Sequence, residues 1–251
     1  MIFSLEACIL NKEKFGEIDY LVELLTKKGK IWAIAKGARK SKKRFVNTLE
    51  EFNFIIAHLR KPLKSNFLIL ESADLIFIPE TVRNNYKKYL FISYIGEILS
   101  KISFSELRVE YFEFVKNFIK EIENVDFIPY LAKPFFEIQI LSYLGYKPEF
   151  RKCIKCGYIP KRIIYLSIPA GGVVCFKCKN GEDIKVDKEV INILKKINKN
   201  FINFKFLKKI EEEINFNKEL LNKIYEISEN FLKFFLPFEI NSLKFLKTKE
   251  F

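Results

Sequence analysis

Four of the five cysteines fall in one stretch, as Cys153 and Cys156 and then, after eighteen intervening residues, Cys175 and Cys178. Two CxxC pairs at that separation match the spacing by which four thiolates surround a tetrahedral zinc ion. Ordinary buried thiols or a disulfide-forming set have no reason to fall into two equal pairs. A thioredoxin-type CxxC uses one pair and leaves the other idle, whereas an iron–sulfur cluster takes the same ligands and is not separated from zinc by spacing alone. Four thiolates close the coordination shell, so one structural Zn2+ is expected, with no open position for catalysis. Gly157 follows the first pair where a ligand loop needs positive φ, and Gly171 and Gly172 lead into the second. Such a site is worth roughly 10 to 16 kcal/mol in isolated peptides, enough to fix a loop too poor in apolar matter for its own core.

Other chemistry is thinly supplied. His58 is the only histidine; it follows Phe52, Phe54 and Ile56 on what alternation makes an apolar face, so a core or barrel-end place is expected. No Ser-His-Asp or Cys-His arrangement has a motif behind it. There is no GxxxxGK[ST] phosphate loop, no GxGxxG and no KxDG. Glu211 to Glu213 form the only dense carboxylate cluster; being consecutive, they point around a helix rather than at one ion. No enzyme is expected. Cys8 alternates within an apolar run and reads as a small buried hydrophobe.

The elements that must position the cysteines divide in two. Residues 1 to 79 read as five strands: the alternation of Phe3, Leu5, Ala7 and Ile9, then IDYLVELLT closed by a turn at Gly29, KIWAIAKG, EFNFIIAHL and NFLILESADLIF. Five short strands suit an oligonucleotide-binding (OB) barrel, and an SH3-like barrel reads almost the same. After Pro79 the periodicity becomes helical. Tyr86 to Ile102 is apolar nearly all round, and Leu107, Tyr111, Phe114, Phe118 and Ile122 form the stripe of a second helix. A third begins at about Pro134 and ends at Gly145, with Pro148 beyond. Helices resume from Asp187 to about Phe235. The expected architecture is therefore α+β: an OB barrel over 1–79, then a helical domain over 80–251 with a four-cysteine zinc module inserted at about 150–182.

The chain has 251 residues, 49% of them hydrophobic, and a formal charge of +13. That charge is uneven: +5 over residues 1–79, −1 over 80–149, +6 over 150–186 and +3 over 187–251. A uniform compositional bias leaves no acidic middle beside a strongly basic module, so polyanions are the expected partner. From Lys27 to Arg44 nine basic residues occur without an acid. Trp32 and Phe45 are the neighbouring aromatics that could stack on bases. No apolar run approaches the ~18 residues of a membrane span, and the N-terminus lacks the basic region of a signal peptide, so a cytoplasmic place is expected.

The order of barrel, helices, cysteine module and final helices resembles the bacterial recombination mediator family RecO. The likeness is sharpest at FFEIQILSYLGYKPEFRKCIKCG and AGGVVCFKC, and extends to GARKSKKRF and ISENFLKFFLPFEINSLKFL. The resemblance implies a DNA-repair protein without catalytic turnover. It would bind single- and double-stranded DNA, anneal complementary strands, associate with RecR and single-strand-binding protein, and help load RecA onto gapped DNA near the nucleoid. On that reading Lys36, Arg39, Lys40, Lys42, Lys43 and Arg44 contact the DNA backbone, with Arg151, Lys161 and Arg162 as an extension. The rival is an RNA-binding or ribosome-associated barrel protein with a zinc ribbon, which shares every electrostatic feature.

Overall fold

The computed structural model describes residues 2–63, 67–102, 109–199 and 203–247. Five strands close a barrel in the order β1-β2-β3-β5-β4: β1 is Ile2–Phe15, β2 Asp19–Thr26, β3 Gly29–Ala35, β4 Phe54–Arg60 and β5 Leu68–Phe77. All pairs are antiparallel except β3 with β5. This is the OB arrangement that the strand count suggests. Asn66, in the fifth run, and Leu107, in the second helical stripe, lie outside the described residues.

Alternation fills the barrel with Ala7, Ile9, Val22, Leu24, Ala33, Ala35, Ile55, Ala57, Leu59 and Leu70. Small and branched residues suit the narrow interior of a five-stranded cylinder. Cys8 is fully buried, and burial raises its thiol pKa. His58 departs from expectation. Ile55, Ala57 and Leu59 take the interior, and Phe54 packs outside the barrel on Phe112. Phe54, Ile56 and His58 do share one face, but it is the outer one. There Nδ1 lies 2.7 Å from Ser4 Oγ and Nε2 2.8 Å from Asp74.

The helices are α1 (Glu80–Asn84), α2 (Tyr86–Lys101), α3 (Val109–Glu123), α4 (Ala132–Tyr143), α5 (Lys188–Ile197), α6 (Phe204–Glu213), α7 (Lys218–Phe235) and α8 (Leu243–Lys247). The chain forms two compact units, residues 1–125 with 240–251, and residues 126–239. In the first, α2 and α3 are tied to the barrel. Lys30 pairs with Glu23 at 3.1 Å and donates to the Ser100 carbonyl, Lys27 pairs with Glu113 at 2.8 Å, and Lys116 pairs with Glu6. The Glu97 carboxylate accepts from the N–H groups of Asn241 and Ser242. Although burial opposes ionisation there, these bonds and Lys101 bring its pKa down to about 2.

In the second unit α4 is buried almost all round and packs on α7. Its Lys133 reaches Glu137 at 2.7 Å and Glu229 at 2.9 Å, a buried ion cluster that fixes register more than it stabilises. At the end of α4, Gly145 has φ 88°, and the Tyr146 N–H donates to the Leu141 carbonyl, closing the helix as its Leu-Gly sequence requires. The cysteine module carries a three-stranded antiparallel sheet, β7-β6-β8, from Ile164–Ser167, Gly172–Val174 and Ile184–Val186 as β6, β7 and β8.

Candidate metal centre and nucleic-acid interface

Both knuckles are built by their own backbone. The Cys153 N–H donates to Tyr158 O at 2.7 Å and the Gly157 N–H to Cys153 O at 2.8 Å, with Gly157 at φ 76°. In the second, the Cys178 and Lys179 N–H groups both donate to Cys175 O at 3.0 Å. The two are held in register by a strand-like contact: Ile154 N–H donates to Val173 O at 2.9 Å, and Val173 N–H to Glu149 O at 2.8 Å. Gly172 permits this approach, because a Cβ there would lie 2.4 Å from the Glu149 carbonyl oxygen.

The consequence is that the ligand atoms of Cys153, Cys156, Cys175 and Cys178 all lie within 4.8 Å of one another. The Cys156 and Cys175 sulfurs are 3.7 Å apart. Sulfurs bonded at ~2.3 Å to the corners of a tetrahedron lie about 3.8 Å apart, so the set fits one ion. A multi-iron cluster places layers of iron and sulfide between its thiolates and needs a wider cage. Burial opposes ionisation of Cys153, but the N–H groups of Cys175, Cys156 and Lys155 outweigh it and bring the thiol down to about 6. Hydrogen bonding with the other cysteines, Cys156 first, pushes Cys178 up to about 12. The Cys153 thiolate thus forms more readily than that of Cys178. Four thiolates converging on one point leave a structural ion no open position.

The six barrel cations, Lys36, Arg39, Lys40, Lys42, Lys43 and Arg44, are all exposed. Gly37 turns the chain at φ 65° into a single 3-10 turn, Ala38–Lys40. That turn is pinned to the loop between β1 and β2: the Gly37 N–H donates to Asp19 at 2.6 Å, the Arg39 N–H to Ile18 O at 3.0 Å, and Arg39 Nη1 to Glu17 O at 2.6 Å. Arg44 folds back, donating to Lys36 O at 2.9 Å and Glu71 O at 3.3 Å while its guanidinium covers Phe45. The two arginines therefore hold the loop in shape. Lys36, Lys40, Lys42 and Lys43 have no ion-pair partner among the described residues. Their charge is left for solvent or a polyanion.

Of the two aromatics beside this run, Trp32 is 36% exposed on β3, whereas Phe45 is 6% exposed and part of the barrel core. Phe45 is thus removed as a stacking residue, because the chain after the loop turns inward to plug the barrel. On the cysteine module Arg151, Lys161 and Arg162 are exposed, as are Lys152, Lys155, Lys177, Lys179 and Lys185 save for their local contacts. Phe176, between the second pair of cysteines, is 62% exposed, a feature that spacing alone does not single out.

No carboxylate cluster converges among the described residues. Glu211 is buried and accepts from the Leu131 N–H at 2.8 Å, whereas Glu213 pairs with Lys196 at 2.6 Å. Among the described residues no helix is long and apolar enough to cross a membrane.

Comparison with known proteins agrees with this geometry over nearly the whole chain. Residues 1–78 match the family described as Recombination protein O N terminal, and residues 83–244 that described as Recombination protein O C terminal. DNA repair protein RecO of Thermoanaerobacter sp. (strain X514) is 32% identical over 184 residues, covering 71% of this chain and 72% of that protein. The Clostridium novyi (strain NT) protein of that name is 32% identical over 206 residues, with 80% and 78% covered. The Thermodesulfovibrio yellowstonii protein is 30% identical over 219 residues, with 81% and 84% covered.

Proposed function

We propose that this chain, which belongs to the RecO family of DNA repair proteins, binds single- and double-stranded DNA and anneals complementary strands without catalysing a bond-breaking step. The observation that carries the reading is that Lys36, Lys40, Lys42 and Lys43 stand exposed, without an ion pair among the described residues, on a closed OB barrel. Annealing requires two phosphate backbones to approach, and their repulsion is the main electrostatic barrier. Lysines that replace condensed counterions lower it, and counterion release supplies the driving force. Lys36, Lys40, Lys42 and Lys43 make the backbone contacts in this reading. Arg39 and Arg44 shape the loop and add charge, and Arg151, Lys161 and Arg162 on the module add further backbone contacts.

The functional division is the barrel, 1–79, against the helical remainder, 80–251, with the module at about 150–182. The module holds one Zn2+ through Cys153, Cys156, Cys175 and Cys178. The ion, when bound, supplies only a rigid crosslink; positioning of the cations around it is done by the knuckle backbone. The chain works in the cytoplasm at the nucleoid, with RecR and single-strand-binding protein as partners and RecA loading as the outcome.

A strand-annealing assay, run with bare strands and with strands saturated by single-strand-binding protein, tests this. Acceleration of pairing in both is the expected result. No acceleration, combined with preferential retention of structured RNA over single-stranded DNA, replaces this reading with the RNA-binding one.

A further inference from the structure

We propose that the cysteine module is a second, separate binding site for single-stranded nucleic acid, in which a base stacks on Phe176. The inference rests on the polyanion-binding role above but adds a site with different chemistry. Residues 150–186 carry eight basic and two acidic side chains, and none of the eight forms an ion pair among the described residues. On the helices of the same unit acids alternate with bases, and Lys133, Lys196, Lys223 and Lys233 are engaged by carboxylates, although others such as Lys205 and Lys218 are not among the described residues. Eight unpaired cations against two carboxylates in one short segment mark a surface whose counter-charge comes from outside.

An aromatic ring sits among those cations. Phe176 is 62% exposed, and its neighbour Tyr165, on β6, lies 6.5 Å away ring to ring. The Lys179 ammonium stands over both, 5.1 Å from the Tyr165 centroid and 5.7 Å from that of Phe176. Lys155 crosses from the first knuckle to donate to Cys178 O at 3.0 Å. Lys185 lies directly opposite Tyr165 in the β6–β8 register and so shares its face. Lys177 is exposed beside the ring. A ring carried on a turn that the thiolates clamp loses little entropy when it stacks, and cations around it track the backbone to either side; these are the two components of sequence-tolerant single-strand binding. An apolar protein partner would leave this charge unanswered. Two strand sites, one on each compact unit, also give one chain a means of holding both strands that it pairs.

The test uses the full chain loaded with zinc, a fluorescent oligothymidylate, and an oligonucleotide carrying 5-iododeoxyuridine for photocrosslinking. Phe176→Leu keeps apolar volume and removes the ring. In a background with Lys40, Lys42 and Lys43 changed to Ala, this change lowers affinity about 10-fold, within the range of one base–aromatic stack. Crosslinks map to Phe176 or Tyr165. Should Phe176→Leu release zinc, the exposed Lys177→Glu carries the same test, with weaker binding expected at unchanged zinc content. Unchanged affinity with no crosslink in 150–186 overturns the proposal. So does loss of binding by Phe176→Leu to an acidic peptide ending in an aromatic residue while oligothymidylate binding is unaltered, which makes the surface a protein-docking site. If instead the three barrel substitutions cost nothing and Phe176→Leu does, the module site stands and the barrel reading falls.

Discussion

Changing Lys40, Lys42 and Lys43 to Ala separates charge from scaffold. These three ammonium groups are exposed and unpaired, whereas the neighbouring arginines hold the loop through the carbonyls of Glu17, Lys36 and Glu71. Removing the lysines therefore leaves the fold and its melting temperature unchanged. On single strands each phosphate neutralised contributes about 0.7 to the slope of log K against log salt, so three lost contacts reduce the slope by about 2. Taking about 1 M salt as the point at which the two proteins converge, affinity at about 0.1 M falls by about 100-fold. Fluorescence anisotropy with a labelled oligonucleotide across about 0.05 to 0.5 M salt reads both quantities. Coincident lines for the two proteins would show that these lysines make no phosphate contact, and the barrel loop would leave the binding site. A parallel downward displacement points instead to damaged structure, which the melting temperature reports independently.

Gly172→Ala forces a Cβ to within 2.4 Å of a backbone oxygen that cannot move aside without separating the knuckles, so zinc content by elemental analysis drops and the module loosens at a cost of about 1 to 3 kcal/mol. Chelation of the metal in the native chain raises amide exchange first over residues 150–186, while α4 and α7 keep their protection; equal exchange with and without metal refutes the crosslinking role. Burial pushes the Glu211 carboxyl from 4.5 up to about 7, against the opposing pull of the Leu131 N–H. The folded state then binds the proton more tightly than the unfolded one, so this group's stabilisation is complete below about pH 4.5 and is lost as pH rises through 7. Glu211→Gln flattens that part of the melting-temperature profile, and an unchanged profile means that another group titrates there.

The barrel is legible in the sequence because its interior is written in period two over runs long enough to count. Its exceptions are local. His58 shares a face with Phe54 and Ile56, as alternation says, but that face is the outer one; Phe54 is apolar there because it packs on Phe112 of α3, while Ile55, Ala57 and Leu59 line the barrel. Phe45 reads as a ring beside a basic loop, and nothing in its neighbours announces that the chain turns there to plug the barrel. The four cysteines are legible for a different reason: ligand spacing is set by coordination geometry and needs no tertiary context. Helix ends such as Gly145 are equally readable from turn chemistry. By contrast, β6, β7 and β8 are three or four residues long and carry no period; they form because the clamped knuckles bring Glu149 against Gly172 and Tyr165 beside Lys185.

The division of labour among the basic residues is the least legible feature. In sequence Arg39, Lys40, Lys42, Lys43 and Arg44 are one charge run, yet the structure separates them by what their head groups can do. A guanidinium has five donors in a fixed fork and can bridge carbonyls while keeping its charge, so the arginines at the two ends of the run secure the loop. An ammonium on a flexible stem gains little from a fixed carbonyl and stays in water, so the lysines between them remain mobile point charges. That division suits the strand annealing proposed for this chain. A lysine-lined surface binds any phosphate spacing and releases it as the duplex forms, whereas bidentate arginine contacts would favour one geometry and oppose the rearrangement. Exchanging Lys42 and Lys43 for Arg should therefore tighten single-strand binding and slow annealing, and stopped-flow pairing kinetics that accelerate instead would refute this account.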